Sequence, residues 1–222
     1  MRRTTFMCVV LLSVFFTAMS TSAADKVSAT RGGLRYAVDL YIEAQTKGDI
    51  SGLPLAAMMS YKENMEPVDI DKGIINQPME IDFHRSLYDT YSGQTFTEII
   101  VTDPDEPYVI GARLRVNHGL IAEVETIWTT TGYWLFNADN YLRQSTMEDW
   151  GPIPAEKRDT RGTLVSAANA YLDAFLEGKI DLVPWGFPCT RVEGGAVTGS
   201  GSPNDSCEVG VPANVNIANR RF

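Results

Sequence analysis

The sequence predicts an α+β protein made of one structural unit and the beginning of a second copy of it. Three observations lead there. Apolar residues recur at helical spacing from Leu34 to Ala44, they change to strand-like alternation between Phe96 and Thr131, and 25 residues of the early chain return 130 positions later.

The chain opens with Arg2 and Arg3, an apolar run from Phe6 to Ala18, and the small residues Thr21, Ser22, Ala23 and Ala24. This basic, apolar, small order is that of a secretory signal peptide, 1–24, cut after Ala24 or alternatively after Ala23. The apolar run is shorter than the ~20 residues that span a bilayer, and no later stretch approaches that length, so no membrane insertion is expected once the signal is removed. Removal leaves 17 basic against 28 acidic residues, a net charge of −11. Such a chain, with no run of Lys or Arg, lacks the electrostatic footprint for phosphate backbones or anionic lipid, and nucleic acid is not an expected partner.

The repeat covers residues 30–54 and 160–184 without gaps. The matches are Thr30/Thr160, Arg31/Arg161, Gly32/Gly162, Leu34/Leu164, Ala37/Ala167, Tyr41/Tyr171, Ala44/Ala174, Gly48/Gly178, Ile50/Ile180 and Pro54/Pro184. Average residue usage would give roughly one or two such identities by chance, so duplication is the reading. Each copy predicts an amphipathic helix stopped by its Gly, then a short apolar segment. Core packing with the hydroxyl at the rim accounts for Tyr41 and Tyr171, a catalytic tyrosine being the alternative.

Phe96–Thr102, Tyr108–Val116 and Leu120–Thr131 are rich in Ile, Val, Thr, Tyr and Trp and read as an antiparallel meander, with Pro104, Asp105 and Pro107 breaking the first strand from the second. Around Asn117-His118-Gly119, a two-residue loop would place Glu123 and Glu125 among Ile110, Ala112 and Leu114. A three-residue loop with Gly119 left-handed pairs Val116 with Leu120 and sets Arg113 opposite Glu123, so the second register is expected, with Glu123 a surface partner of Arg113.

Residues 25–136 thus form the first unit and 137–159, with Gly151, Pro152 and Pro154, a linker. Residues 160–222 start a second unit whose strand-rich half is missing, which predicts either a shortened chain or a half-unit packed on the first. Cys8 leaves with the signal, and the remaining Cys189 and Cys207 are expected to form one disulfide across a loop rich in Gly, Ser, Pro and Asn. Neither His84 nor His118 is close in sequence, so no metal site is expected. Asn204-Asp205-Ser206 is a glycosylation sequon at Asn204.

A helix ended by Gly, a connecting segment and a long meander with a Gly turn resemble the nuclear transport factor 2-like superfamily, also called SnoaL-like or ketosteroid-isomerase-like. The stretch from Gly111 through Asn117-His118-Gly119 to Ile127 carries the likeness, in particular to secreted fungal members of unassigned function. The resemblance covers the first unit well and the second only through its helix and cysteine loop. It implies a cone-like curved antiparallel sheet wrapped on helices around an apolar pocket, and hence a small apolar molecule as partner.

Catalytic members of such a family are cofactor-independent isomerases, cyclases or dehydratases in which carboxylic acids and a Tyr or His move protons beside a carbonyl. In this chain the set offered is His84 as general acid or base, Asp82 or Asp89 to orient it, and Tyr41. A surface histidine in a polar loop is the competing reading of His84. Tyr61, Trp128, Trp134 and Thr126 are the expected pocket lining, although aromatic residues in a meander also serve as core. No Gly-x-Ser-x-Gly elbow, His-Glu-x-x-His, phosphate loop or dinucleotide fingerprint occurs, so no cofactor is expected. Ligand binding with or without proton transfer, or a structural extracellular role, are the functions left, and a homodimer is the assembly to test for.

Overall fold

The computed structural model describes residues 23–222. Most of the expected signal peptide lies outside the described residues. Helix α1, Ala23–Lys26, leads into α2, Arg31–Lys47. Thr30 begins α2 because its hydroxyl accepts from the Gly33 N–H at 3.1 Å, and Gly48 ends it at φ 64° with its own N–H on the Ala44 carbonyl. Six strands follow: β1 Leu55–Glu63, β2 Glu66–Pro67, β3 Phe83–Asp89, β4 Gln94–Val101, β5 Tyr108–Asn117 and β6 Leu120–Thr130. They form one sheet in the order β2-β1-β6-β5-β4-β3. The α+β architecture with a sheet on helix α2 is as expected. All its pairings are antiparallel except β1 with β6, which is parallel, an arrangement that the connection through two 3-10 turns and the loop to β3 left unread.

Alternation gives the sheet two unlike faces. Ile99, Ile110, Ala112, Leu114 and Val124 point inward and pack with Leu34, Ala37, Val38 and Tyr41 of α2, all essentially without exposure. Each large side chain in this group contributes about 1.5–3 kcal/mol by leaving water. The outer face carries charge: Arg113 bonds Glu123 at 2.5 Å and Glu125 at 2.9 Å, and Arg115 bonds Glu123 at 2.6 Å.

The expected loop and register between β5 and β6 need correcting. The loop has two residues, His118 at φ 49° and Gly119 at φ 79°, the positive angles of a type I′ turn, with Asn117 opposite Leu120. Val116 therefore pairs with Ile121 and Arg113 with Glu125, not with Leu120 and Glu123. A two-residue loop alone would indeed have turned the glutamates inward. The register shift between Arg115 and Val116 leaves Ala122 as an extra residue on β6, and this bulge restores the expected faces.

Segment 137–159, read as a linker, begins with helix α3, Ala138–Met147, capped by Asn137 accepting from the Asn140 N–H at 2.8 Å. Ten mostly polar residues would not hold a helix in isolation. Contacts to the sheet hold it, led by Arg85 Nη1 donating to the Ser145 carbonyl at 3.2 Å. Helix α4, Arg161–Glu177, repeats α2 in detail: Thr160 caps the Thr163 N–H at 3.1 Å, and Gly178 closes the helix at φ 66°. It differs in what covers it, since Leu34 is fully buried while Leu164 is 59% exposed.

A hairpin of β7, Thr190–Glu193, and β8, Ala196–Ser200, completes the chain's regular structure, and the Cys189–Cys207 disulfide closes its loop. Residues 160–222 reach the first unit through Arg161 on Asp89 and through Arg221 on Glu125 at 2.7 Å.

The two helix-ending glycines should respond unequally to alanine. Both need left-handed backbone, at a cost of about 1 kcal/mol for a residue with a Cβ. At Gly48 that Cβ would also lie 2.6 Å from the Asn76 carbonyl oxygen, whereas at Gly178 its nearest neighbour is the Ala213 Cβ at 3.2 Å. Denaturant titration should therefore show Gly48→Ala to be the more destabilising, by a further ~1 kcal/mol or more. Equal losses would contradict this account.

Candidate functional site

Four of the residues singled out from sequence sit on the inner side of the sheet, and Glu63, which sequence reasoning missed, joins three of them. Glu63 ends β1 on the same face as Tyr61. Its Oε1 accepts the Tyr61 hydroxyl and the Ile74 N–H, both at 2.5 Å, and its Oε2 accepts the Trp128 indole N–H at 3.3 Å. Thr126 pairs with Glu63 across β6 and is almost fully buried. Gly73 lies so close to the Tyr61 ring that no larger residue fits there.

Tyr41 is fully buried beside this cluster, and its hydroxyl has no hydrogen-bond partner among the described residues. Burial, then the Glu63 carboxylate, pushes its pKa well up. Tyr61 is raised by burial, then by its bond to Glu63. Both phenols therefore remain neutral at physiological pH. One turn along α2, buried Gln45 donates to the Ile74 and Gln77 carbonyls at 2.9 and 3.1 Å and so ties the 3-10 segment to the helix.

His84 and Asp82 do not join Tyr41. His84 stands exposed on edge strand β3, and Asp82 is exposed with Oδ2 accepting from the Thr102 N–H at 2.7 Å and the Thr102 hydroxyl at 2.8 Å. Asp89 is committed to Ser92 and Arg161. Edge position, not alternation, explains the separation: His84 shares the face of its fully buried β4 neighbour Ile99, yet β3 is the outermost strand and leaves the imidazole in solvent. Trp134, expected in a pocket lining, is instead 74% exposed, while Trp128 stacks edge-on with Tyr108 at 5.9 Å and with Tyr133 at 6.3 Å. Asn204 is exposed near the tip of the disulfide loop.

Room for a ligand lies on the other side of the sheet. A cavity of about 320 Å³ is enclosed by Arg85, Leu87, Phe96, Glu98, Val109 and Gly111 of the outer face, by Tyr141, Gln144, Ser145 and Glu148 of α3 and its end, by Trp150, and by Thr190 and Val192 of β7. Arg85 organises its polar side. Nη2 bonds Glu98 at 2.7 Å and Glu148 at 2.8 Å, and the guanidinium lies 4.2 Å from the centre of the Trp150 ring. Burial, then the Glu98 charge, pushes the Tyr141 hydroxyl up to about 12, so it too stays a neutral donor. A second cavity, of about 290 Å³, lies under Leu172 and the segment 217–222 and shares Phe96 and Gly111 with the first. Phe96 can lie there because Gly111 has no side chain: a Cβ would come within 2.9 Å of the ring.

Residues 157–222, which contain α4 and the disulfide loop, match a family described as a domain of unknown function, DUF8021. No curated protein matches the chain. Among solved structures, an NTF-2 like protein of unknown function from Burkholderia xenovorans is similar at 12% identity, over 53% of this chain and 95% of that one, with a TM-score of 0.32. A phenazine biosynthesis-related protein from Pseudomonas aeruginosa is similar at 10% identity, over 67% of this chain and 96% of that one, with a TM-score of 0.30. No helix among the described residues is long and apolar enough to cross a membrane, and no group of three or more His, Cys, Asp or Glu among them is placed to hold a metal ion.

The raised tyrosines carry a pH signature. A phenol that ionises less readily in the folded than in the unfolded chain adds stability in full below the unfolded value of ~10, and that stability is lost as pH rises above it. Stability should therefore fall from about pH 10 upward, and less steeply in Tyr61→Phe. At neutral pH that variant should cost about 1–3 kcal/mol, because Glu63 loses a donor. Urea titrations at pH 7 and pH 10.5 measure both effects, and an unchanged slope in the variant would remove Tyr61 from the explanation.

Proposed function

We propose that the protein is a secreted small-molecule-binding protein whose ligand occupies the cavity between the outer sheet face and α3. The cavity itself carries this reading. Its volume lies within the range of small-molecule sites, and it sets apolar walls opposite a few convergent polar groups. Leu87 and Phe96, about half exposed, offer an apolar surface that a ligand would cover. Secretion is supported by the basic and apolar opening of the chain and by the Cys189–Cys207 bridge, a bond suited to an oxidising compartment. The exposed Asn204 sequon would be open to glycosylation there.

Proton transfer inside the cone is the second reading, and one observation favours it. Among the described residues the buried Tyr41 hydroxyl has no partner, and it lies near the Tyr61–Glu63 pair, an arrangement of neutral phenols and a carboxylate that could bind and polarise a carbonyl. Binding ranks first because Tyr41 and Tyr61 are enclosed by core side chains, whereas the outer cavity has open volume.

Binding of an uncharged solvatochromic dye such as Nile red provides the test. Val192→Trp, which fills the outer cavity from β7, should weaken dye binding at least tenfold, while Tyr41→Phe should leave it unchanged. If Val192→Trp binds as the parent does and Tyr41→Phe does not, the ligand site belongs inside the cone. Mass spectrometry of molecules retained through purification would then identify the natural ligand.

A further inference from the structure

The polar side of the outer cavity is unbalanced in charge. It holds one cation, Arg85, and two carboxylates, Glu98 and Glu148. The arginine is fully occupied: it bonds both carboxylates and the Ser145 carbonyl, stacks on Trp150, and keeps only 17% of its side chain exposed. It therefore has little to offer a ligand anion. Glu98 is likewise occupied, with Oε2 on Arg85 and Oε1 accepting the Ser145 hydroxyl at 3.3 Å, so Glu148 is the carboxylate with capacity to spare.

Glu148 uses one oxygen, Oε2, for both the Arg85 guanidinium at 2.8 Å and the Trp150 indole N–H at 2.8 Å. Its Oε1 receives no hydrogen bond among the described residues, and 46% of the side chain remains exposed. Three ionised groups leave this side of the cavity with one net negative charge. The apolar wall of Leu87, Phe96, Val109 and Val192 completes the lining.

We propose that the cavity selects a small primary amine with an apolar, preferably aromatic, body. The ammonium donates to Glu148 Oε1 and the body covers Phe96 and Leu87. The selectivity has a simple origin. An ammonium compensates the surplus carboxylate in a partly desolvated site, a neutral isostere gains only from buried area, and a carboxylate meets repulsion with no free cation to offset it. This inference rests on the small-molecule-binding reading above and adds the ligand class to it.

The experiment compares three isosteres by NMR titration of the full mature chain at pH 7: 2-phenylethylamine, propylbenzene and 3-phenylpropionate. The amine should bind at least roughly fivefold more tightly than the hydrocarbon, a margin that shrinks with added salt, and the carboxylate should bind most weakly. Glu148→Gln should abolish the margin of the amine over propylbenzene. Gln144→Glu, which adds a carboxylate to the lining, should widen it and provides a test even if Glu148→Gln folds poorly. Equal binding of amine and hydrocarbon would overturn the amine preference while leaving the cavity as a ligand site. If none of the three shifts resonances of the lining residues, the preference and the binding reading fall together.

Discussion

The fold depends on keeping the two faces of the β5–β6 ladder unlike, and a single extra residue secures this. The His118-Gly119 turn alone would bring Glu123 and Glu125 onto the side that packs against α2, where two unpaired carboxylates would face Ile110, Ala112 and Leu114. The bulge at Ala122 shifts β6 by one residue, so Val124 and Thr126 face inward and both glutamates meet Arg113 outside. The buried stripe of α2 can then close on an apolar surface, while the outer face keeps the charge it needs to receive other elements.

Those elements attach by ion pairs more than by apolar burial. Arg85 fixes α3, Asp89 receives Arg161 at the start of α4, and Glu125 receives Arg221 near the end of the chain. The contrast between the repeated helices expresses the same division. α2 and α4 share their caps and their apolar positions, yet α2 is sealed beneath the sheet, whereas α4 buries Ala174 and packs Tyr171 against Phe175 and Trp185. A shared sequence pattern specifies a helix and its ends. What the helix covers is decided by the partners within reach.

Much of the fold was legible where the signal was local. Gly48 and Gly178 marked where both helices end, and alternation placed Ile110, Ala112 and Leu114 on one face; the starts at Thr30 and Thr160 came only with the structure. The register was missed by two because a bulge leaves the alternation of the strand beyond it intact and is invisible to period counting. Glu63 was readable in retrospect, since it is two residues from Tyr61 on one strand and must share its face. The outer cavity was not readable. It depends on α3, whose ten mostly polar residues resemble a linker until Arg85, 60 positions earlier than Ser145, is seen to hold it.

Phe96 gives the outer face a property of its own. The ring lies over Gly111 and forms part of the wall of the two cavities described above, so a single aromatic side chain stands at their common boundary. Replacing it with a small residue would remove side-chain volume from the boundary that the two cavities share, between β7 and the C-terminal segment. The scaffold could then accept a longer guest without any change to strand, turn or helix. If the proposed ligand sits here, its length would be set at one position, separately from the residues that set the charge of the face.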